Sequence, residues 1–312
     1  MSGSRHPQGL QLLALASLVL MAMLWGSTFF SMKALVGRLP VADMLAVRFV
    51  IAASVVGVLA RRHWRMSRRT LAQGVVIGVI YGVAQLVQTY GLARTSASMS
   101  GFITGLYVVV TPFLAARLLR ERIPRATWVA VVLATAGLAV LSLDAGSLTL
   151  RAGTGELLTL LCAVLYAGHI VAVDRYSSPA VALQLTNVEL VVVAAICLVA
   201  GAPGGVTLPH TGSQWIWMIY LAVIAGAVPI FLQIWAQSYV ESTTAAVIMA
   251  GEPVWAATFA VLFGGEVLSW RMVTGGAAMV GAMVLVTVLP RLKQSGAPAG
   301  RPPAPALSAD RG

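Results

Sequence analysis

Residues 248–265 read IMAGEPVWAATFAVLFGG, an almost unbroken apolar run in which one carboxylate, Glu252, stands alone. Other groups able to do chemistry are just as isolated: Arg48 in LAVRFV, Glu189 in LTNVEL, His169 in LYAGHI, and the amides Gln88 and Gln233. Arg48, His169, Glu189 and Glu252 fall on four different segments, with no clustered carboxylates and no nucleophile beside a base, so an embedded enzyme is disfavoured and no catalytic residue is expected. Cys162 and Cys197 match no metal or redox spacing and read as packing residues, and the four histidines are scattered, so no metal site is expected. A P-loop needs Gly-Lys-Ser/Thr, whereas Lys33 is followed by Ala and Lys293 by Gln. No cofactor is implied, and uphill work must draw on a gradient or on a separate subunit.

The segments that hold these groups are set by hydropathy. Of 312 residues, 59% are hydrophobic and 10% charged, a composition outside the soluble range. Apolar spans of the length that crosses a bilayer occur at 10–30, 41–60, 71–93, 96–117, 126–143, 153–173, 180–200, 214–238, 242–263 and 270–289. In lipid each backbone amide must be satisfied within its own segment, so these spans are predicted to be helices of an all-α polytopic membrane protein.

The net charge of +11 takes its meaning from position. Arg5, the cluster Arg61, Arg62, Arg65, Arg68 and Arg69, the cluster Arg117, Arg120, Arg122 and Arg125, then Arg175 and the tail residues Arg291, Lys293, Arg301 and Arg311 all fall on one face. The other face holds Lys33, Arg38, Arg94, Arg151 and Arg271. By the positive-inside rule both termini are expected in the cytoplasm, and the basicity reports orientation, not a nucleic-acid partner. The first span has no small-residue cleavage site before WGSTFF and is read as a retained helix. Residues 291–312 are rich in Pro, Ala and Gly and are expected to be a disordered cytoplasmic tail.

Ten spans divide into five and five, 10–143 and 153–289. At an offset of 145, residues 84–123 superimpose on 229–268 and match Gln88 to Gln233, Glu121 to Glu266 and Tyr107 to Glu252. An offset of 141 aligns the earlier spans, placing Trp25 on Tyr166 and Arg48 on Glu189. Because each half has an odd number of crossings, the second enters from the opposite face, and the halves are inverted repeats about an axis in the membrane plane.

WGSTF in the first span, VRF in the second, TSAS, GFITGLY and VVVTPFLAARLLRERI, with the second-half partner STTAAVIMAGEPVWAATFAVLFGGEVL, resemble the two repeats of EamA-type members of the drug/metabolite transporter superfamily. The resemblance covers residues 12 to 289. It implies a ten-helix secondary transporter, an exporter or facilitator of small metabolites such as amino acids, in a bacterial inner membrane. The expected partners are a small-molecule substrate and the lipid bilayer, with homodimerisation left open. A sensor or scaffold that reuses the fold is the rival reading.

Within that frame the candidate pathway residues are Trp25, Arg48, Gln88, Tyr107, Tyr166, Glu189, Gln233, Trp235 and Glu252. Glu252 lies about 15 Å along its span, near the midplane, where an ionisable group costs ~2.5–3.5 kcal/mol and faces a cavity or a partner. It is read either as a proton-coupling group or as a structural carboxylate at a helix broken by Pro253. Arg48 and Glu189 could hold the two ends of a zwitterion, or bond one another in an interhelical salt bridge, or Arg48 could snorkel. Gln88 and Gln233 suit an outer and an inner gate, or interhelical hydrogen bonds. Trp25, Tyr166, Tyr90 and Trp235 line the path or sit in the interfacial belt. Gly74, Gly78 and Gly82, four apart, are a helix-packing stripe.

Overall fold

A computed structural model describes residues 8–28, 39–63, 65–95, 97–120, 122–142, 153–201, 205–264 and 267–295. Glu121 and Glu266, one of the two polar matches between the repeats, lie outside the described residues, as do Arg5, Lys33, Arg38, Arg151, Arg301 and Arg311.

Every expected span is helical over most of its described residues. The first half contains α1 (Gln8–Gly26), α2 (Val41–Leu59), α3 (Arg68–Leu92), α4 (Ala97–Gly105), α5 (Tyr107–Leu118) and α6 (Arg125–Ser142). The second contains α7 (Thr154–Tyr176), α8 (Ala182–Gly201), α9 (Gly212–Ile219), α10 (Val228–Ala236), α11 (Ser242–Met249), α12 (Glu252–Gly264) and α13 (Trp270–Ser295). Helix α13 runs past residue 291, where an unstructured tail was expected to begin, and the rest of that tail, 296–312, lies outside the described residues.

Three of the ten spans are not the continuous α-helices that hydropathy suggests. The fourth is split between α4 and α5 and the ninth between α11 and α12, while the eighth passes from α9 to α10 through a π-helical turn, Tyr220–Ala227. Hydropathy reads only how apolar a segment is, and these interruptions keep the segment apolar.

Local signals mark the helix starts. Ser67 accepts the Thr70 amide before α3, and Thr211 and Gln214 form a reciprocal capping box before α9. Large apolar side chains such as Val58, Val132, Val199 and Ile216 stay exposed, as expected of helices whose outer surface meets lipid.

The main helix contacts recur when the two halves are exchanged. Helix α3 packs on α7 as the α9–α10 span packs on α1; α3 packs on α8 as the eighth span packs on α2. The pairs α2 with α8 and α6 with α13 map onto themselves and so flank the pseudo-two-fold axis, whereas α5 packs on α11 to an extent that their mates, α12 and α4, do not match. Both main cores draw on both halves. One joins α1, α5, α6, α7, α11 and α13, the other α2, α3, α7, α8 and α10, so the repeats form one body.

The glycine stripe of α3 lies against α8. A Cβ at Gly74 would meet Val188 at 2.7 Å, and one at Gly78 would meet Val192 at 2.8 Å and the Glu189 Cα at 3.1 Å. Small residues let these backbones approach, which is how helices associate where no hydrophobic force separates lipid from protein.

Candidate functional site

The two split spans break in the same way. In the first half the Leu106 amide donates to Ile103 O (3.2 Å), and the Leu106 carbonyl accepts from Val109 (2.9 Å) and Val110 (3.2 Å). In the second half Gly251 donates to Ile248 O (3.1 Å) and accepts from Val254 (3.0 Å) and Trp255 (3.5 Å). Each of these residues is the repeat mate of its counterpart at offset 145. Pro253 has no amide to send to Met249, and Val254 N–H turns to Gly251 instead of reaching back to Ala250, so polar backbone is released at mid-membrane. Tyr107 and Glu252 are the first residues beyond the two breaks.

At the breaks lies a cavity of about 610 Å³. Its wall includes Trp25 and Thr28 of the first span; Leu45 and Arg48 of α2; Tyr81, Gln85, Gln88, Thr89 and Leu92 of α3; Ser100, Thr104 and Tyr107; Tyr166 and His169 of α7; Gln233 of α10; and Met249, Ala250, Glu252 and Pro253. The α3 residues run from mid-helix to its C-terminal end and on to Thr95, while α5 beyond Tyr107 and α11 before Met249 contribute nothing. The space therefore extends from the breaks towards the face where α1 and α3 end, and is closed towards the other.

Seven of the nine residues expected on a pathway line this cavity. Glu189 and Trp235 do not: Glu189 has no exposure and sits behind His169, and Trp235 packs on both cores and on Tyr239 (5.2 Å between rings). Glu189 Oε1 is 2.8 Å from His169 Nε2, while its Oε2 is buried with no hydrogen-bond partner among the described residues.

Arg48 is held elsewhere. Its Nε and Nη2 donate to the carbonyls of Leu221 and Ala225, each at 3.0 Å, on the π-helical turn. A π-turn has a wider backbone, which presents carbonyls that a side chain can reach. Arg48 and Glu189 are thus neither bonded to one another nor exposed to one cavity. The readings as a salt bridge and as two ends of a zwitterion site both give way, because α2 and α8 meet on the axis while the two side chains turn to opposite spans.

The glutamines are in hydrogen-bond chains. Gln88 accepts from the Tyr166 hydroxyl (2.7 Å) and reaches Thr104 Oγ1 at 3.5 Å. Gln233 donates to Gln237 (3.0 Å), which donates to Ile170 O (2.8 Å), and Gln233 Oε1 is buried without a partner among the described residues. Glu252 has no hydrogen-bond or ion-pair partner among the described residues. Gly26 lets α1 approach it: a Cβ there would stand 2.8 Å from the Glu252 carbonyl and 2.6 Å from Trp255 Cβ.

Sequence reasoning did not pick out Tyr81, Gln85, Thr104 or His169 as cavity residues. A signal existed for two of them, since Tyr81, Gln85, Gln88 and Leu92 follow helical spacing along one face of α3. His169 is the offset-141 mate of Thr28, and both line the cavity. Its ring stacks on Tyr81 at 4.9 Å, and Tyr81 stands 6.3 Å edge-on from Phe49.

Among the described residues, seven helices long and apolar enough to cross a membrane, joined by shorter apolar helices in two repeats around a cavity at paired helix breaks, define a two-repeat multi-pass membrane protein. The sequence profile of the EamA-like transporter family matches residues 12–143 and 153–288, and the chain belongs to that family. It is similar to a protein of Archaeoglobus fulgidus described as an uncharacterized transporter, with 28% identity over 277 residues, 87% of this chain and 84% of the relative. It also shares its fold with a solved crystal structure at a TM-score of 0.76 and 20% identity, covering 90% of this chain and 98% of that one.

Proposed function

We propose that this transporter is a secondary exporter of small amphipathic metabolites, amino acids or related compounds, working by alternating access in a bacterial inner membrane with both termini in the cytoplasm. The observation that carries the reading is the one-sided cavity at the repeated breaks of the fourth and ninth spans. Discontinuous helices at the midplane, presenting unpaired backbone to a cavity between repeats, are how such folds hold a substrate that must be released on either side. The cavity volume suits a single small molecule, and its wall combines an aromatic surface (Trp25, Tyr81, Tyr107, Tyr166) with separated polar groups (Arg48, Gln88, Gln233, Glu252), the pattern of an orienting site.

Glu252 is the proton-coupling group in this proposal. A carboxylate without a partner at mid-membrane is charged when the cavity is hydrated and neutral when it is closed, so a proton gradient can bias the two states. The basic clusters Arg61–Arg69 and Arg117–Arg125 support the orientation, and with it the cavity faces away from the cytoplasm.

The test is flux in proteoliposomes of the purified chain, loaded with amino acids and amines, combined with a thermal-shift screen of the same compounds. A compound that both stabilises the protein and moves faster than in empty vesicles establishes transport of it. No flux and no stabilisation across the panel, with a partner protein co-purifying, establishes a sensor or scaffold instead.

A further inference from the structure

Exchanging the environments of two inverted repeats exchanges the face to which the cavity opens. Residues lining its open part then become buried, and their mates become exposed. Here the mates are identifiable. Ser100 and Gly101 line the cavity, while their offset-145 mates Ala245 and Ala246 are fully buried on the closed side. Arg48 lines the cavity, while its offset-141 mate Glu189 is fully buried with one carboxylate oxygen unpartnered among the described residues. Their settings are also mates: Arg48 is bonded to the eighth span at Leu221 and Ala225, and Glu189 lies against the third span at Gly78.

We infer that the cavity changes charge as it changes facing, presenting Arg48 in the state seen here and Glu189 in the opposite state, and that its substrate is an organic cation bound at the closed face and released at the open one. The inference rests on the alternating-access reading above. Glu252 and its mate Tyr107 both line the cavity at the breaks, so Glu252 stays at the site in both states. In the present state Arg48 adds a positive charge to the wall that also carries Glu252, and an ammonium group gains little. In the opposite state Arg48 is withdrawn and Glu189 joins Glu252. His169 occupies Glu189 Oε1, leaving Oε2 for the ligand. An unpartnered buried carboxylate oxygen is costly to maintain, and hydration or an ammonium ligand in the opposite state relieves it. A cation is therefore gathered at one face and expelled at the other, an anion would be driven the reverse way, and a zwitterion would be affected little.

Three probes share one ring and differ in charge: tyramine, tyrosine and 4-hydroxyphenylacetate. Half-saturation of initial flux is measured separately at each face of oriented proteoliposomes of the full chain. Tyramine is expected to be preferred and to bind more tightly at the closed face. Glu189→Gln is expected to weaken tyramine there by roughly tenfold or more and at the open face by less than about twofold, as one charge is lost at one face only. Unchanged open-face binding also reports that the variant is folded. Independently, Ala246→Cys in a Cys162→Ala, Cys197→Ala background should react with a membrane-impermeant maleimide from the closed face. Preference for 4-hydroxyphenylacetate, equal loss at both faces in Glu189→Gln, or no labelling of Ala246→Cys in a variant that still transports tyramine overturns the inference while leaving a transporter. Labelling of Ala246→Cys without flux of any probe overturns the cation assignment alone. Neither labelling nor flux overturns alternating access itself.

Discussion

Tyr107 and Glu252 stand in equivalent places, each first beyond a mid-membrane break whose hydrogen bonds recur residue for residue in the other half. Only the second break has a proline one residue beyond its first helical position, since the mate of Pro253 is Val108 and the proline of α5, Pro112, lies a turn further on. The break is thus a property of how the spans pack, and the proline reinforces it. What differs between the two positions is chemistry: one offers a phenol, the other a carboxylate.

Glu252→Gln keeps the size and hydrogen bonding of the side chain and removes its titration. The variant is expected to fold and to exchange substrate at equal concentrations, yet to lose accumulation driven by a pH gradient. Flux measured with and without an imposed gradient decides this. Unchanged gradient-driven accumulation would reduce Glu252 to a structural group beside Pro253.

Gly26→Ala should lower stability by about 1–3 kcal/mol, because overpacking forces the neighbours apart. Its Cβ would stand 2.6 Å from Trp255 Cβ, 2.8 Å from Glu252 O and 2.9 Å from Ala256 N, and two of these are backbone atoms that cannot rotate away. Gly168→Ala, with nothing within 4 Å of the added carbon, is the control. Thermal unfolding in detergent should separate the two, and equal midpoints would mean that α1 does not approach α12 so closely.

Arg48→Ala removes two charge-assisted bonds to the carbonyls of Leu221 and Ala225, and hydrogen bonds to charged groups contribute about 1.5–3 kcal/mol. It should lower both stability and flux. The charge-swapped double variant Arg48→Glu, Glu189→Arg should recover neither, as each residue has its own partners. Recovery of flux by the swap would show that the two form a pair after all.

Asp174→Ala should loosen the closed face. Asp174 Oδ2 accepts the Ser242 amide at 2.8 Å, so a residue of α7 caps the N-terminus of α11 across the seam that must open. Loss of a cap costs about 0.5–2 kcal/mol, enough to shift a two-state equilibrium by roughly twofold to thirtyfold. Labelling of Ala246→Cys from the closed face should speed up by a similar factor, and an unchanged rate would remove this contact from the gate.

The membrane class, ten spans, two repeats and family were legible without coordinates, because each depends on composition or order along the chain. Lipid forces any apolar span of sufficient length into a helix, and an odd number of crossings per repeat forces inversion. The repeat also paired Tyr107 with Glu252 and Trp25 with Tyr166, and all four lie on the wall of one cavity. Azimuth was not legible. Which side of a uniformly apolar helix faces the cavity depends on how the helices pack, and so Glu189 was grouped with Arg48, although His169 stands between it and the cavity. The π-helical turn that receives Arg48 and the break at Leu106 leave no polar mark in the sequence, since neither needs a charged or special residue to form. The tertiary structure alone decided which face is open, because packing of one set of mates and separation of the other is a choice between two arrangements that the same sequence supports.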